Sequence, residues 1–333
     1  MRRILIIYNP RSSRYQDVKK DVLGQISSLN GFMVGKYEVE KTDVDVNAKS
    51  FAKILKDDDL VIAAGGDATG VIAVNAILNS GKNATLAVLP YGNFNDLSRT
   101  LGTKTIEDIL HKPAWVGDGA GEGATARRRD SSTVGETTTA GSAQNSTRRF
   151  YPLEIYVDGK FFRYASCYVT IGMMAEAVKL YDSPKMRKKL KTSFGRKISS
   201  YTYLAAWYFK NRHRKIFIPV FKLNGKLQPS KTSDYAAVNG RYMARVMRGG
   251  EDYKNSQIFR SETDRLTNFW RLIKLMTKSI FVRIPGSKTD GDLIEFSAPA
   301  TVELQAEGEY HVFKGIKTIE IRKSKKCLKV VTR

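Results

Sequence analysis

Over its first 115 or so residues the chain alternates short apolar runs with stretches of helical periodicity, and few folds accept that pattern. Arg3–Tyr8 is an apolar run suited to a strand buried on both faces, and Phe32–Glu40, Leu60–Ala64 and Thr85–Leu89 read as further strands. Between them Val18, Val22, Ile26 and Leu29 recur at about helical spacing. Val46–Leu55 reads as a second helix, and Val71, Val74, Ile77 and Leu78 share one face of a third. Alternating β and α units specify a mostly parallel sheet with helices on both faces. The expected class is α/β, a Rossmann-like nucleotide-binding domain over residues 1–116.

The rest of the chain follows other rules. Residues 117–149 are built of Gly, Ala, Ser, Thr and Arg, with Val134 the only large apolar residue, and read as a flexible low-complexity insertion. Beyond it, Tyr151–Val157 and Phe161–Ile171 flank Asp158-Gly159, a favourable hairpin turn. Lys215–Leu223, Asp234–Val238, Thr301–Gln305, Lys317–Arg322 and Leu328–Val331 are further strand candidates. Helical stretches are expected near Ile198–Lys210 and Thr263–Lys278. Residues 150–316 are therefore expected to form a second, β-rich domain.

Composition removes several classes. Cys167 and Cys327 are the only cysteines, and His111, His213 and His311 share no metal-ligand spacing, which excludes a disulfide framework and argues against a zinc hydrolase. No run approaches the roughly 18 apolar residues of a membrane span. The opening Met1–Tyr8 imitates a signal peptide, but its apolar stretch is short and Asn9-Pro10 ends it, so a buried strand and a cytoplasmic protein are expected. The formal net charge of +23 favours a polyanionic partner.

The chemistry concentrates in three loops. Leu60–Gly70 runs a buried strand into Gly65-Gly66-Asp67-Ala68-Thr69 and then a helix. Paired glycines permit close backbone approach and a helix N-terminus favours an anion, so the segment suits a phosphate cradle with Asp67 placed to reach a metal ion. It is not a Walker A loop, because no Gly-Lys-Ser/Thr follows. Asn9–Ser13 follows the first strand and Pro90–Asp96 the fourth. Separately each is a capped turn. In a parallel sheet all three emerge at the carboxyl edge, where together they favour a nucleotide site.

Tyr8-Asn9-Pro10, the Gly65–Thr69 loop and the run Leu89–Arg99 (Leu-Pro-Tyr-Gly-Asn-Phe-Asn-Asp-Leu-Ser-Arg) resemble the catalytic domain of diacylglycerol kinases, shared with sphingosine, ceramide and bacterial lipid kinases. A fourth element, Glu307-Gly308-Glu309, is similar to that family's Asp-Gly-Glu. The resemblance implies an ATP- and Mg²⁺-dependent transfer of the γ-phosphoryl group to a lipid hydroxyl, such as that of diacylglycerol or a sphingoid base. It also implies an α/β domain followed by a β-sandwich, the site in the cleft between them, and a return of residues 317–333 to the first domain. Carried over by motif, Asn9, Gly65, Gly66, Asp67, Ala68, Thr69, Asn95 and Glu309 would contact the nucleotide. Asp67 and Asp96 would join the charged network around phosphate and metal, Asp67 as metal ligand, and Glu307 would be the catalytic base.

This chain departs from the family pattern at several positions. Ala68 replaces a loop glycine, Asn93-Phe94 replaces Thr-Gly, Ser13 stands where Gly often closes the first motif, and Glu307 replaces Asp. Glu154 is a candidate for a matching Asp-to-Glu change, and the acidic run expected near residues 250–270 is not recognisable. Two alternatives stay open: an NAD kinase-like enzyme, and a pseudokinase that binds nucleotide or anionic lipid without catalysis. Residues 183–215 carry eleven basic residues and no acid, interleaved with aromatics. That composition suits peripheral attachment to an anionic membrane through residues 185–215. No recognition-helix or RNA-binding signature accompanies it, so no nucleic-acid partner is expected.

Overall fold

The computed structural model describes residues 2–26, 32–40, 43–103, 105–110, 146–176, 202, 205, 209, 218–229, 232–244, 247–249, 258–265, 269–284 and 286–332. The basic stretch 185–215, save those three single residues, and the insertion up to residue 145 lie outside the described residues.

The first sheet contains β1 (Arg2–Tyr8), β2 (Phe32–Glu38), β3 (Leu60–Gly65), β4 (Thr85–Pro90), β5 (Ser146–Phe150) and β18 (Leu328–Thr332), in the order β2-β1-β3-β4-β18-β5. All pairs are parallel except β18 with β5. The helical elements beside it are α1 (Tyr15–Asp17), a π-helical turn Val18–Leu23, α2 (Gly24–Ile26), α3 (Val44–Ala52), α4 (Asp67–Ser80), α5 (Asp96–Leu101) and α6 (Ile106–Leu110).

Period-two alternation explains why the strands are apolar throughout. Ile4 and Ile6 of β1, with Leu60 and Ile62 of β3, face a core completed by Val18, Val22, Ile26, Ile106 and Ile109. Their neighbours Leu5, Ile7, Val61 and Ala63 face a second core with Phe51 of α3 and Val71, Val74 and Ile77 of α4. α4 ends where Gly81 takes the left-handed conformation, φ 69°, as a helix C-cap requires.

The second sheet is antiparallel, with ten strands among the described residues. Its main path is β15 (Ser287–Thr289), β14 (Phe259–Arg265), β11 (Thr232–Val238), β8 (Tyr168–Gly172), β16 (Gly291–Ala306), β17 (Glu309–Lys323), β6 (Leu153–Val157) and β7 (Lys160–Ala165). β9 (Phe221–Leu223) and β10 (Lys226–Leu227) form a side branch on β16. Ile155, Ile171, Tyr235, Phe259, Leu304 and Ile321 share one core although their strands lie far apart in that order, so the sheet curls around it. This is the form the expected β-rich unit takes. A hairpin of β12 (Tyr242–Met243) and β13 (Met247–Arg248), and α7 (Phe269–Phe281) between β14 and β15, complete the described structure.

Alternation also joins the units. Tyr235 and Ala237 of β11 face the second core, while Ala236 and Val238, with Tyr168 of β8, face the core beneath α4. A buried amide fastens this contact: Asn75 of α4 donates from Nδ2 to the Tyr164 carbonyl (3.0 Å) and accepts the Tyr164 N–H at Oδ1 (2.9 Å).

Several local expectations need correction. Residues 317–323 stay in the second sheet as the end of β17, and only Leu328–Thr332 returns to the first. Ser146–Arg149, read as insertion, belongs to β5 because its backbone pairs with β18. Phe161–Ile171 is two strands, broken at Ser166-Cys167. Thr263–Arg265, read as the start of a helix, is strand because β14 pairs with β11. The helix expected over 198–210 lies outside the described residues.

Candidate active site

Three loops of the first sheet meet at its carboxyl edge, and glycine lets them touch. A Cβ on Gly92 would collide with the Gly66 Cα, so the β3–α4 and β4–α5 loops approach backbone to backbone. The Tyr91 N–H donates to the Gly65 carbonyl (3.0 Å). From the β1–α1 loop, Ser12 Oγ donates to the Tyr91 carbonyl (2.7 Å) and Ser13 Oγ to Asn93 Oδ1 (3.0 Å). Ser13 therefore has a contact that glycine could not make. Arg14 adds a bond to the Pro90 carbonyl (3.2 Å) and lies over the Tyr91 ring.

Within this cluster Asn9 and Asn95 organise their own loops. Asn9 Oδ1 accepts the Arg11 N–H (2.9 Å), an Asx turn. Asn95 holds φ 59°, its Oδ1 accepts the Gly92 N–H (2.7 Å) and its Nδ2 donates back to the Gly92 carbonyl (2.8 Å). Asp67 ties the two loops together: its carboxylate accepts the N–H groups of Asn95 (2.8 Å) and Leu97 (3.3 Å). Helix α4 starts from Gly66 without a side-chain cap, with Ala68 exposed in its first turn and Thr69 buried. Phe94, half-buried, lies in the β4–α5 loop.

Glu307 arrives from the second sheet. It and Gly308 form the two-residue connection between β16 and β17, with φ of 51° and 90°. Positive φ at both positions is what a type I′ hairpin turn demands, and Asp or Asn meets it more readily than Glu. The side chain is buried, and its Oε1 accepts the Cys167 N–H in the β7–β8 break. Its Oε2 is buried with no hydrogen-bond partner among the described residues. Burial pushes the carboxyl up to about 8. The Cys167 and Ser166 N–H groups oppose that rise, and the charges of Asp67 and Asp96 add to it.

The same field reaches its neighbours. Burial, reinforced by Glu307, Asp96 and Asp67, holds the Cys167 thiol and the Tyr168 phenol well above their usual ranges. Burial likewise raises Asp67 against the N–H groups it accepts. The structure therefore brings Asp67, Asp96 and Glu307 within electrostatic reach of one another at the junction of the two units. Among the described residues, no group of three or more His, Cys, Asp or Glu side chains is disposed to hold a metal ion.

Glu309 lies across the hairpin turn, and its carboxylate is paired with Arg163 of β7. The Arg163 guanidinium, 2% exposed, also reaches Asp45 of α3 (2.7 Å), bridging the two units. Glu154 is placed elsewhere: it accepts from Ser324 Oγ (2.8 Å) and pairs with Arg322 (2.9 Å) inside the second unit. Cys167, Tyr168, Asn75 and Arg163 were missed by sequence reasoning. They are single residues of unremarkable type far from any motif, and only the doublet Ser166-Cys167 inside an apolar run hinted at a break.

Fold and site together define an α/β unit with glycine-lined loops at the carboxyl edge of a parallel sheet, completed by a carboxylate from an antiparallel unit. Residues 3–116 match the family model described as the diacylglycerol kinase catalytic domain. Diacylglycerol kinase from Bacillus subtilis (strain 168) is 40% identical over 114 residues, 33% of this chain and 36% of that one. Diacylglycerol kinase from Staphylococcus saprophyticus is 32% identical over 111 residues, 33% and 35% of the two chains. A solved diacylglycerol kinase structure from Bacillus anthracis str. Sterne aligns over 99% of this chain and 97% of that one, with TM-score 0.58 and 14% identity. Over residues 3–116 the first unit is thus similar to the diacylglycerol kinase catalytic domain. The matches span about a third of the length of these curated relatives, and the structural likeness extends the shared fold over the second unit.

Proposed function

We propose that the protein is a lipid kinase that transfers the γ-phosphoryl group of ATP to a lipid hydroxyl, such as that of diacylglycerol or a sphingoid base. The observation that carries this reading is the burial of Glu307 beside Asp67 and Asp96, where two sheets meet over three loops, two of them in contact through glycine. The relatives' name, diacylglycerol kinase, supports the lipid acceptor.

The loops fit a nucleotide. The N-terminal end of α4, which Gly66 opens without a side-chain cap, favours a phosphate, and the Gly66–Gly92 contact keeps side chains out of the approach. The carboxylates fit Mg²⁺, which takes hard oxygen ligands and is commonly held by one or two carboxylates plus substrate phosphates. Asp67 and Asp96 would hold it, and when bound it would neutralise charge on the transferred phosphoryl group.

In this reading Glu307 Oε2 receives the proton of the acceptor hydroxyl. The Cys167 N–H fixes Oε1, so the other oxygen keeps its direction. A carboxyl raised to about 8 is a far stronger base than an ordinary glutamate, and a base poised near working pH is the efficient one. Asn95 keeps its phosphate loop in register through bonds to backbone, and Asp67, besides its place toward the metal, ties that loop to the β3–α4 loop by accepting the Asn95 N–H. Peripheral attachment is the natural location for such an enzyme, and no helix among the described residues is long and apolar enough to cross a membrane.

The test is incubation of the full chain with γ-labelled ATP, Mg²⁺, diacylglycerol, sphingosine and NAD. Label in a lipid is the expected result. Label in NADP, or in nothing despite ATP binding, would overturn the reading in favour of an NAD kinase-like enzyme or a pseudokinase.

A further inference from the structure

We propose that the outer face of α7 is a membrane-docking surface for anionic phospholipid, an inference that rests on the lipid-kinase reading for its purpose but not for its physics. Trp270, Lys274, Thr277, Lys278 and Phe281 follow the spacing i, i+4, i+7, i+8, i+11 and so share one helical face, and all are exposed. Trp270 is 76% and Phe281 58% exposed, and Val282, just past the helix, is 66% exposed. Ser279 and Ile280 are buried and anchor the helix from behind.

Apolar side chains this exposed offer area to a further surface, and the charges around them say which kind fits. Arg271, Lys274, Lys278 and Arg283 are exposed among the apolar anchors, and the segment 269–284 contains no acidic residue. Tryptophan and phenylalanine at the water–acyl boundary, with cations at headgroup level, are the composition of an interfacial helix. Lysine stems cover apolar surface while their ammonium groups reach out to phosphate. A second protein surface would need a matching acidic rim, which a chain of net charge +23 is poorly equipped to offer itself.

The position of α7 gives the docking a consequence. The Ile284 N–H donates to the Arg248 carbonyl of β13 (2.7 Å), and Arg248 pairs with Tyr242 of β12. Tyr242 lies under the Arg99 guanidinium at 4.0 Å, and the Arg241 N–H donates to Thr100 Oγ1 (3.1 Å). Arg99 and Thr100 belong to α5, the helix that begins with Asp96. One hairpin therefore separates the lipid-facing helix from the candidate site, so docking through α7 brings that site to the bilayer surface.

The test is co-sedimentation of the full chain with vesicles of phosphatidylcholine alone and of phosphatidylcholine mixed with phosphatidylglycerol, at low and high salt. The parent should bind the mixed vesicles, less so in high salt. Lys274→Gln with Lys278→Gln should weaken that binding by about 25-fold, from roughly fivefold per cation near the surface, and flatten its salt dependence. Trp270→Ser with Phe281→Ser should weaken it by about tenfold or more at either salt. Label transfer to short-chain diacylglycerol in detergent, read in parallel, should persist in both variants. Its absence in the parent strikes at the lipid-kinase reading and leaves the vesicle result standing. Parent-like vesicle binding in both variants, or no vesicle binding by the parent, would overturn the proposal. So would a parent dimer that Trp270→Ser dissolves, which would assign the face to self-association.

Discussion

The backbone N–H of Cys167 donates to the side chain of Glu307. That bond joins the break between β7 and β8 to the turn between β16 and β17, and it leaves the other carboxyl oxygen directed by backbone rather than by a second side chain. Its neighbour across the turn, Glu309, is paired with Arg163, which also holds Asp45 of the first unit. The turn that carries the candidate base is thus tied to both units of the protein.

Arg163→Met should therefore loosen the site as well as the fold. Removing one partner of a buried ion pair costs roughly 3–5 kcal/mol, but Asp45 and Glu309 keep contact with water, which brings the expected loss to about 2 kcal/mol. Lysine should not restore it, because one ammonium cannot match the fork that reaches both carboxylates. Denaturant unfolding measures the loss. A Met variant as stable as the parent would show that the bridge contributes nothing.

The Gly66–Gly92 contact makes an equally specific demand. Gly92→Ala forces a methyl group into the Gly66 Cα, and two backbones must part, at a cost of about 1–3 kcal/mol. ATP affinity should fall by about tenfold or more, since small misplacements of a binding loop are costly. Gly24→Ala is the contrasting case. Gly24 is helical and exposed, the added Cβ meets only the Lys19 carbonyl at an ordinary 3.6 Å, and helix propensity favours alanine by about 0.5–1 kcal/mol. Calorimetric titration and thermal melts should separate the two.

Ionisation of Glu307 predicts a pH-dependent stability with a definite sign. The carboxyl titrates near 8 when folded and near 4.5 when unfolded, so between those values the folded chain holds a proton that the unfolded chain has released. Its contribution is complete below about pH 4.5 and is lost as pH rises through 8. Glu307→Gln abolishes this loss. The variant's melting temperature should match the parent's at pH 5 and exceed it at pH 9. An equal difference at both pH values would remove the raised carboxyl from the account.

The sequence was most legible where one physical pattern sufficed. β1, β3 and β4 are apolar because both faces are covered, and their polar, turn-forming exits mark the ligand edge of a parallel sheet. Legibility failed where tertiary pairing decided. Thr263–Arg265 could read as helix until β11 supplied its hydrogen bonds. The middle of β16 carries Pro299, which argues against a strand, and the ladder with β17 shifts register between Glu295 and Ala300, where a proline is tolerated. The tie between Asn75 and Tyr164 joins residues 89 positions apart, and no local pattern encodes it.

The central claim, that Glu307 is the base of a lipid kinase, is tested most directly by the pH dependence of label transfer from ATP to diacylglycerol. In the parent, kcat/KM should rise with pH and level off above about 8 as the carboxyl of the free enzyme ionises. Glu307→Gln should lose turnover at every pH while binding ATP as the parent does. A parent profile flat from pH 6 to 9, together with a Gln variant of near-parental turnover, would contradict it.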